Sequence, residues 1–310
     1  MTELDLYPRP LVNVVVATRD RPELLDQTLK AIAIQDYEGP ISVAVVYDQT
    51  EPDHGIEVAD GPRQVKVMRN ERTPGLQGAR NTGLTRTDGA FVAFCDDDDI
   101  WKEHKVSSQI DLFDDDPSCL MASSGIHVVF EGERLPRVPT KDRVTFADLI
   151  NSRMFESTHP STFIMRRSLI EDMGMVDEDV PGGYGEDYEF VLRAARRTDI
   201  GAVPEALVEV LWHQASFYAE RWQMRIEGLE YLLAGYPEFY DDKEGLARIK
   251  GQIAFAYGAL GQRGDAVKTA VATLKLDPTQ KRAYLALAMA AGVVTPDFLV
   301  AKIQRQGRSI

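Results

Sequence analysis

At 310 residues and 44% hydrophobic, the chain has material for a sizeable core and, on the usual length prior, about two domains. Its formal net charge of -14 and pI near 4.9 argue against a nucleic-acid surface or an anionic membrane patch, since either needs a basic face. Cys95 and Cys119 lie in or beside apolar sequence without metal-type spacing and read as small buried residues of a reducing compartment. Residues 1–9 lack the apolar segment of a secretory leader, and the uncharged, largely apolar run 283–294 is shorter than the roughly 20 residues that span a bilayer. The expectation is a soluble, cytoplasmic protein, with a peripheral place at the inner membrane face left open.

In chain order, residues 11–17 (LVNVVVA) form a β-branched run suited to a strand buried on both faces. It passes through Thr18, Arg19, Asp20 and Arg21 into a helical pattern with Leu24, Leu25, Thr28, Leu29 and Ile32 on one face, for which Asp20 is the expected N-cap and Pro22 lies in the first turn. Residues 41–47 (ISVAVVY) give a second strand ending at Asp48, residues 51–62 a loop, 65–69 a third strand and 76–86 a helix. Residues 91–95 then read as a buried strand that empties into four aspartates, Asp96 to Asp99, followed by Trp101. Alternation of strand and helix argues for a mostly parallel α/β sheet, whose ligands collect at the carboxyl ends of the strands. Thr18 to Arg21, Asp48 and Asp96 to Asp99 all sit at those ends.

Four adjacent carboxylates repel one another. An isolated run of this kind is most often a solvated turn, but a core strand before it and an aromatic after it favour a hard divalent cation, Mg2+ or Mn2+, held by oxygen ligands. On extended backbone Asp96 and Asp98 face one side as ligands while Asp97 faces away.

Further along, residues 102–113 form an amphipathic helix, 119–130 one or two strands, 134–143 a polar connector, 146–152 a short helix and 155–166 a loop running into a strand. His159 lies in that loop, and a lone histidine is more often a structural hydrogen-bonder than a substrate contact. In residues 181–193 (PGGYGEDYEFVLR) a glycine-rich loop opens a helix whose first-turn acids, Glu186 and Asp187, are favoured by the helix dipole without any catalysis. Residues 203–212 give a last strand. Beyond 216 the chain turns helical, and the spacing of Ala254, Tyr257, Gly261, Ala266, Leu274 and Pro278 resembles a tetratricopeptide repeat. One and a half repeats are too few for a free-standing solenoid, so these helices are expected to pack on the preceding domain, on a second copy or on a protein partner, with Tyr257 and Leu274 buried.

The succession VVVATRDRPELL, VAVVYDQT, GLQGARNTGL and FVAFCDDDDIW resembles the nucleotide-binding half of an inverting family-2 glycosyltransferase of the GT-A fold, over about residues 10–215. In that family the second strand ends in an Asp-Asp-Gly-Ser-like sequence, where this chain has Tyr47, Asp48, Gln49 and Thr50. The resemblance implies an α/β GT-A catalytic domain over 1–215 and a helical, tetratricopeptide-like region over 216–310. It also implies transfer of a sugar from a nucleotide-diphosphate donor to a hydroxyl of a saccharide, glycan or lipid-linked acceptor. By that resemblance, donor contacts fall to Thr18, Arg19, Arg21, Asp48, Arg80, Asn81, Asp96 and Asp97, and a Mn2+ or Mg2+ ion to Asp96, Asp98 and His213. His159 and Tyr184 fall on the acceptor side, Tyr184 stacking on a sugar ring, and Asp187 is the general base with Glu186 as the fallback. Replacement of an acid by Tyr47 keeps a rival open: a non-catalytic interaction protein whose degenerate transferase domain presents the helical tail to a partner.

Overall fold

The computed structural model describes residues 7–130, 132–151, 159–211, 221–296 and 298–299. The chain packs as two units: one of Met1–Phe146, Met154–Glu178 and Glu186–Leu211, the other of Ala147–Arg153, Asp179–Gly185 and Trp212–Ile310. In chain order the elements up to residue 211 are β1 (Val12–Thr18), α1 (Pro22–Ala33), β2 (Ile41–Tyr47), β3 (Arg63–Arg69), α2 (Leu76–Thr85), β4 (Phe91–Asp96), β5 (Ile100–Trp101), α3 (Lys105–Asp115), β6 (Met121–Phe130), β7 (Glu133–Arg137), β8 (Arg143–Val144), α4 (Phe146–Asn151), β9 (Ile164–Arg166), α5 (Arg167–Met173), α6 (Glu186–Ala195) and β10 (Ile200–Leu211).

The strands of the first unit form one ten-stranded sheet in the order β3-β2-β1-β4-β9-β6-β10-β5, with β7 on β6 and β8 on β10. Its longest ladders are parallel: β1 with β2 and β4, β2 with β3, and β6 with β10. The valine-rich runs of β1 and β2 are buried along nearly their whole length, as strands covered on both faces require. Cys95 and Cys119 are free and buried.

Two expectations need correction here. Asp20 is not the cap of α1: its backbone is left-handed (φ 54°), a conformation Asp tolerates better than most residues, and Arg21 takes the cap position ahead of Pro22. The stretch expected as a polar connector over 134–143 instead holds β7, paired antiparallel with β6 from Ile126↔Arg137 to Phe130↔Glu133. Its polar composition and Pro136 hide it from a hydrophobicity reading, yet both are tolerated in a strand that pairs with one neighbour alone.

Lys105 opens α3 and is fully buried. Its ammonium donates to Gln109 Oε1 (2.7 Å) and lies 3.9 Å from the centre of the Trp101 ring. Burial disfavours the charged form and brings Lys105 down to about 7.

The second unit is helical: α7 (Trp222–Gly235), α8 (Lys243–Ala259), α9 (Arg263–Leu276) and α10 (Lys281–Ala290). Asp242 caps α8 by accepting a hydrogen bond from the backbone N–H of Gly245 (2.7 Å). Helices α8, α9 and α10 meet on Ala254, Ala270, Ala283 and Ala286, all completely buried. At Gly258 a Cβ would come within 2.7 Å of Met289 Cε and 3.5 Å of Ala286 Cα, so α8 and α10 approach closely there and only the tip of Met289 would have to move aside for a larger residue. These small residues bring the backbones close and push bulkier ones to the rim, so Tyr257 and Leu274 are only half-buried. No helix among the described residues is long and apolar enough to cross a membrane.

Candidate active site

The parallel register aligns Thr18 with Tyr47 and Ala17 with Asp96, so Thr18, Asp48 and the aspartate run lie along one edge of the sheet. Asp48 is buried and accepts from Asn70 Nδ2 (2.8 Å), Gln49 Nε2 (2.8 Å) and the Gly75 N–H (3.1 Å). Burial pushes its carboxyl up, but these hydrogen bonds and the charge of Arg19 prevail and hold it below the ordinary range. Gln49 has φ 57°, the left-handed conformation that favours glycine. The hydroxyl of Thr50 is buried without a hydrogen-bond partner among the described residues.

The four aspartates diverge into different partnerships. Thr18 Oγ1 donates to Asp97 Oδ2 (2.7 Å), and Arg21 Nη1 reaches both Asp97 (3.2 Å) and Asp98 (2.9 Å). Burial raises the Asp97 carboxyl against the opposing pull of Thr18 and Arg21. Asp99 is turned inward at 1% exposure, where Ser161 Oγ donates to its Oδ2 (2.5 Å) and His159 Nδ1 lies 3.5 Å away. Ser161 also accepts from the Asp96 N–H (2.9 Å), tying the end of β4 to the segment before β9. Burial, then the charges of Asp96 and Asp98, drives the Asp99 carboxyl well above its ordinary value.

Arg80, on α2, is 3% exposed and forks between two acids: Nη2 donates to Asp96 Oδ1 and Nη1 to Glu186 Oε1, both at 2.7 Å. Its guanidinium also lies 5.3 Å from the centre of the Phe94 ring. The neighbouring residue Gly78 lets α2 begin here, since a Cβ at that position would sit 1.9 Å from the carbonyl oxygen of Thr73. Burial raises Glu186 to about 7, helped by the charge of Asp187 and opposed by Arg80. Asp187 is less buried and lines a narrow cleft with Arg80, Phe94, Phe163 and Phe190. Its Oδ1 accepts from the Tyr188 N–H (2.7 Å).

The structure therefore gathers two sets of contacts along the aspartate run, Thr18 and Arg21 with Asp97 and Asp98, and Arg80, Glu186, Ser161 and His159 with Asp96 and Asp99, with Asp187 lining the cleft beside the second. The grouping of ligand type is Asp96, Asp99 and His159, with donor atoms within 4.8 Å of one another; Asp98 stands outside it, paired with Arg21. His159, expected toward the acceptor, faces this cluster. Asn81 is engaged elsewhere, bonding both backbone groups of Val176 and the carboxylate of Glu178. Tyr184 belongs to the second unit, where Arg225 stacks over its ring at 5.2 Å. His213 lies outside the described residues. No sequence spacing joins Asp99 to Ser161, 62 residues away; the fourth aspartate of the run and the polar HPST stretch are the local signals of the pair.

Two carboxylates and an imidazole form a donor set suited to Mn2+. The residues fit such an ion.

Residues 13–174, just over half of the chain, match the profile of glycosyl transferase family 2. An uncharacterized glycosyltransferase, YwdF of Bacillus subtilis (strain 168), is 28% identical over 202 residues, covering 64% of this chain and 72% of that protein. The Escherichia coli UDP-Glc:alpha-D-GlcNAc-diphosphoundecaprenol beta-1,3-glucosyltransferase WfgD is 28% identical over 103 residues, covering 33% and 40%. In fold, the chain is similar to residues 1–349 of S. aureus TarS, crystallised with UDP-GlcNAc (TM-score 0.61, 21% identity, covering 96% of this chain and 92% of that one). It is also similar to the mannosyltransferase PcManGT from Pyrobaculum calidifontis in complex with GDP-Man and Mn2+ (TM-score 0.56, 17% identity, covering 97% and 88%). With its strand-end acids and mostly parallel sheet of the GT-A type, the chain belongs to glycosyl transferase family 2.

Proposed function

We propose that this protein transfers a sugar from a nucleotide-diphosphate donor to a hydroxyl of a glycan or lipid-linked acceptor, with inversion at the anomeric carbon and with a divalent cation bound at the aspartate cluster. The observation that carries this reading is the fork of Arg80, which joins Asp96 of the aspartate run to Glu186 of the acid pair opening α6. Donor chemistry and acceptor chemistry thereby share one buried cation.

In this reading Asp48 and the unpartnered Thr50 hydroxyl hold the nucleoside, while Thr18, Arg19 and Arg21 border the phosphates. Asp96, Asp99 and His159 would hold the metal, with Asp98, now paired with Arg21, the nearest further carboxylate of the run. When bound, Mn2+ or Mg2+ supplies positive charge for the diphosphate leaving group. Asp187 accepts the proton of the acceptor hydroxyl as its oxygen bonds to the anomeric carbon and the bond to the nucleoside diphosphate breaks. Attack from the face opposite the leaving group inverts the centre. Glu186 is committed to Arg80 and shifted toward its neutral form, which supports Asp187 as the base. The alanine-lined stack of α8 to α10 supports a tetratricopeptide-like arrangement that meets a partner or a second copy, and the acceptor is expected on the cytoplasmic side.

The test is a screen of nucleotide sugars for thermal stabilisation with Mn2+ and with EDTA. A donor that binds raises the melting temperature by mass action, and the gain should vanish with EDTA. Equal stabilisation in both conditions removes the metal from the account, and no stabilisation by any donor removes the transferase reading.

A further inference from the structure

The loop between β3 and α2, residues 70–75, is gripped by the carboxylate of Glu178, which follows α5 and lies 105 residues beyond Thr73. Its Oε2 accepts from the Thr73 N–H (3.3 Å) and from the Thr73 hydroxyl, and its Oε1 accepts from Arg72 Nε and from Asn81 Nδ2 (2.7 Å). All four partners are donors. An ionised carboxylate is acceptor-only with about four lone-pair sites, so this one is fully used. Burial pushes the Glu178 carboxyl up, but the hydrogen bonds from Asn81, Thr73 and Arg72 prevail and hold it at about 2. The grip is itself anchored on α2, where the buried Asn81 amide donates to the Val176 carbonyl (2.8 Å) and accepts from the Val176 N–H (2.9 Å).

From Thr73 the contacts reach Asp48 in one further step. Asn70 Nδ2 donates both to the Thr73 carbonyl (2.9 Å) and to Asp48 Oδ1 (2.8 Å), while Asn70 Oδ1 accepts from the Arg72 N–H (3.0 Å) and the Thr82 hydroxyl (2.9 Å). At the other end of the loop the Gly75 N–H meets the same Asp48 oxygen at 3.1 Å. Two loop donors therefore occupy Oδ1. Oδ2, which accepts from Gln49 alone among the described residues, is the oxygen with a lone pair to spare for a ligand.

We infer that Glu178 is a positioning residue for the nucleoside end of the donor site: it latches the 70–75 loop, and the loop aims Asp48 through Asn70 and Gly75. The inference rests on the reading of Asp48 as a nucleoside contact. It also gives Asn81 a role, which is to hold the latch rather than to touch the donor.

The experiment is calorimetric titration of the full chain with UDP, GDP, CDP and dTDP in Mn2+. Glu178→Gln keeps the size of the side chain but turns an NH2 group toward two of the four donors, so it should weaken the nucleotide that the wild type binds by about tenfold. The loss should be confined to the nucleoside end, so whatever affinity the wild type has for pyrophosphate in Mn2+ is kept by the variant. Amide hydrogen exchange over residues 71–75 should also speed up in the variant. Thr73→Val, which removes one donor from the latch, should cost about threefold and serves if the glutamine variant does not fold. Unchanged nucleotide affinity, an equal loss toward pyrophosphate, or unchanged exchange in the loop overturns the latch. Binding of none of the four nucleotides by the wild type instead removes the nucleoside reading of Asp48, and the inference with it.

Discussion

Arg80 and Glu186 meet at 2.7 Å with side chains 3% and 7% exposed, and the same guanidinium holds Asp96 at 2.7 Å. One cation thus serves carboxylates that lie far apart in sequence and come from β4 and α6. Removing it leaves the buried Glu186 and the part-exposed Asp96 without their shared cation. Arg80→Met should therefore cost about 3 to 5 kcal/mol of stability, the usual penalty for breaking a buried pair from one side. Arg80→Lys should recover only part, since an ammonium cannot fork between both acids. Urea denaturation of the three proteins checks this, and a methionine variant as stable as the wild type would show that the fork is not structural.

Glu186 titrates near 7 in the folded chain against an ordinary 4.5. Between those values the folded state keeps a proton that the unfolded state has released, so the contribution of this group to stability falls as pH rises from about 4.5 to 7. Glu186→Gln, which cannot titrate, should flatten that part of the stability profile. An unchanged slope between wild type and variant places the proton elsewhere.

Lys105 carries the opposite sign. Its folded value of about 7 lies below the ordinary 10.5, so above pH 7 the unfolded state binds the extra proton and stability rises with pH. Lys105→Met should be more stable than the wild type at pH 7, with the gap narrowing by about 1 kcal/mol per pH unit up to pH 8.5. Beyond that, ionisation of Cys95 in the unfolded chain opposes the trend, since burial holds its thiol well above 9.0 when folded. A gap that is constant with pH would mean that Lys105 stays charged in the interior.

The inward turn of Asp99 gives the metal site a second test. Asp99→Asn and Ser161→Ala should both weaken Mn2+-dependent nucleotide binding, the first by about tenfold or more through loss of a charged ligand and the second less, because it only positions Asp99. Titration of UDP with and without Mn2+ measures both. If Asp98→Asn abolishes binding while Asp99→Asn leaves it intact, the cation sits on the outer aspartate pair instead.

Much of this architecture was legible in the chain itself. The β-branched runs of β1 and β2 and the apolar run of β4 announce a buried parallel sheet, and Asp48 and the aspartate run fall at its carboxyl edge as that topology demands. What was hidden depends on long-range closure. No local pattern shows that Ser161 reaches back to Asp99, or that Arg80 is consumed by acids on both sides. Lys105 reads as a surface residue of an amphipathic helix, and only the position of Trp101 shows why it is inside. The polar strand β7 escaped because edge pairing needs no apolar face.

For the base, Asp187→Asn keeps the size of the side chain but cannot take a proton. It should leave donor affinity nearly intact and lower turnover by about 10²-fold or more, with Glu186→Gln costing less. Donor calorimetry beside transfer rate separates the two, and wild-type turnover in Asp187→Asn would move the base to another residue.

The most direct measurement is the anomeric configuration of the product, followed by NMR as the sugar leaves the nucleotide. Attack of the acceptor hydroxyl from the side of Asp187 predicts that an α-linked donor yields a β-linked product from the first turnover onward. A product that keeps the configuration of the donor would contradict single-step transfer with Asp187 as the base.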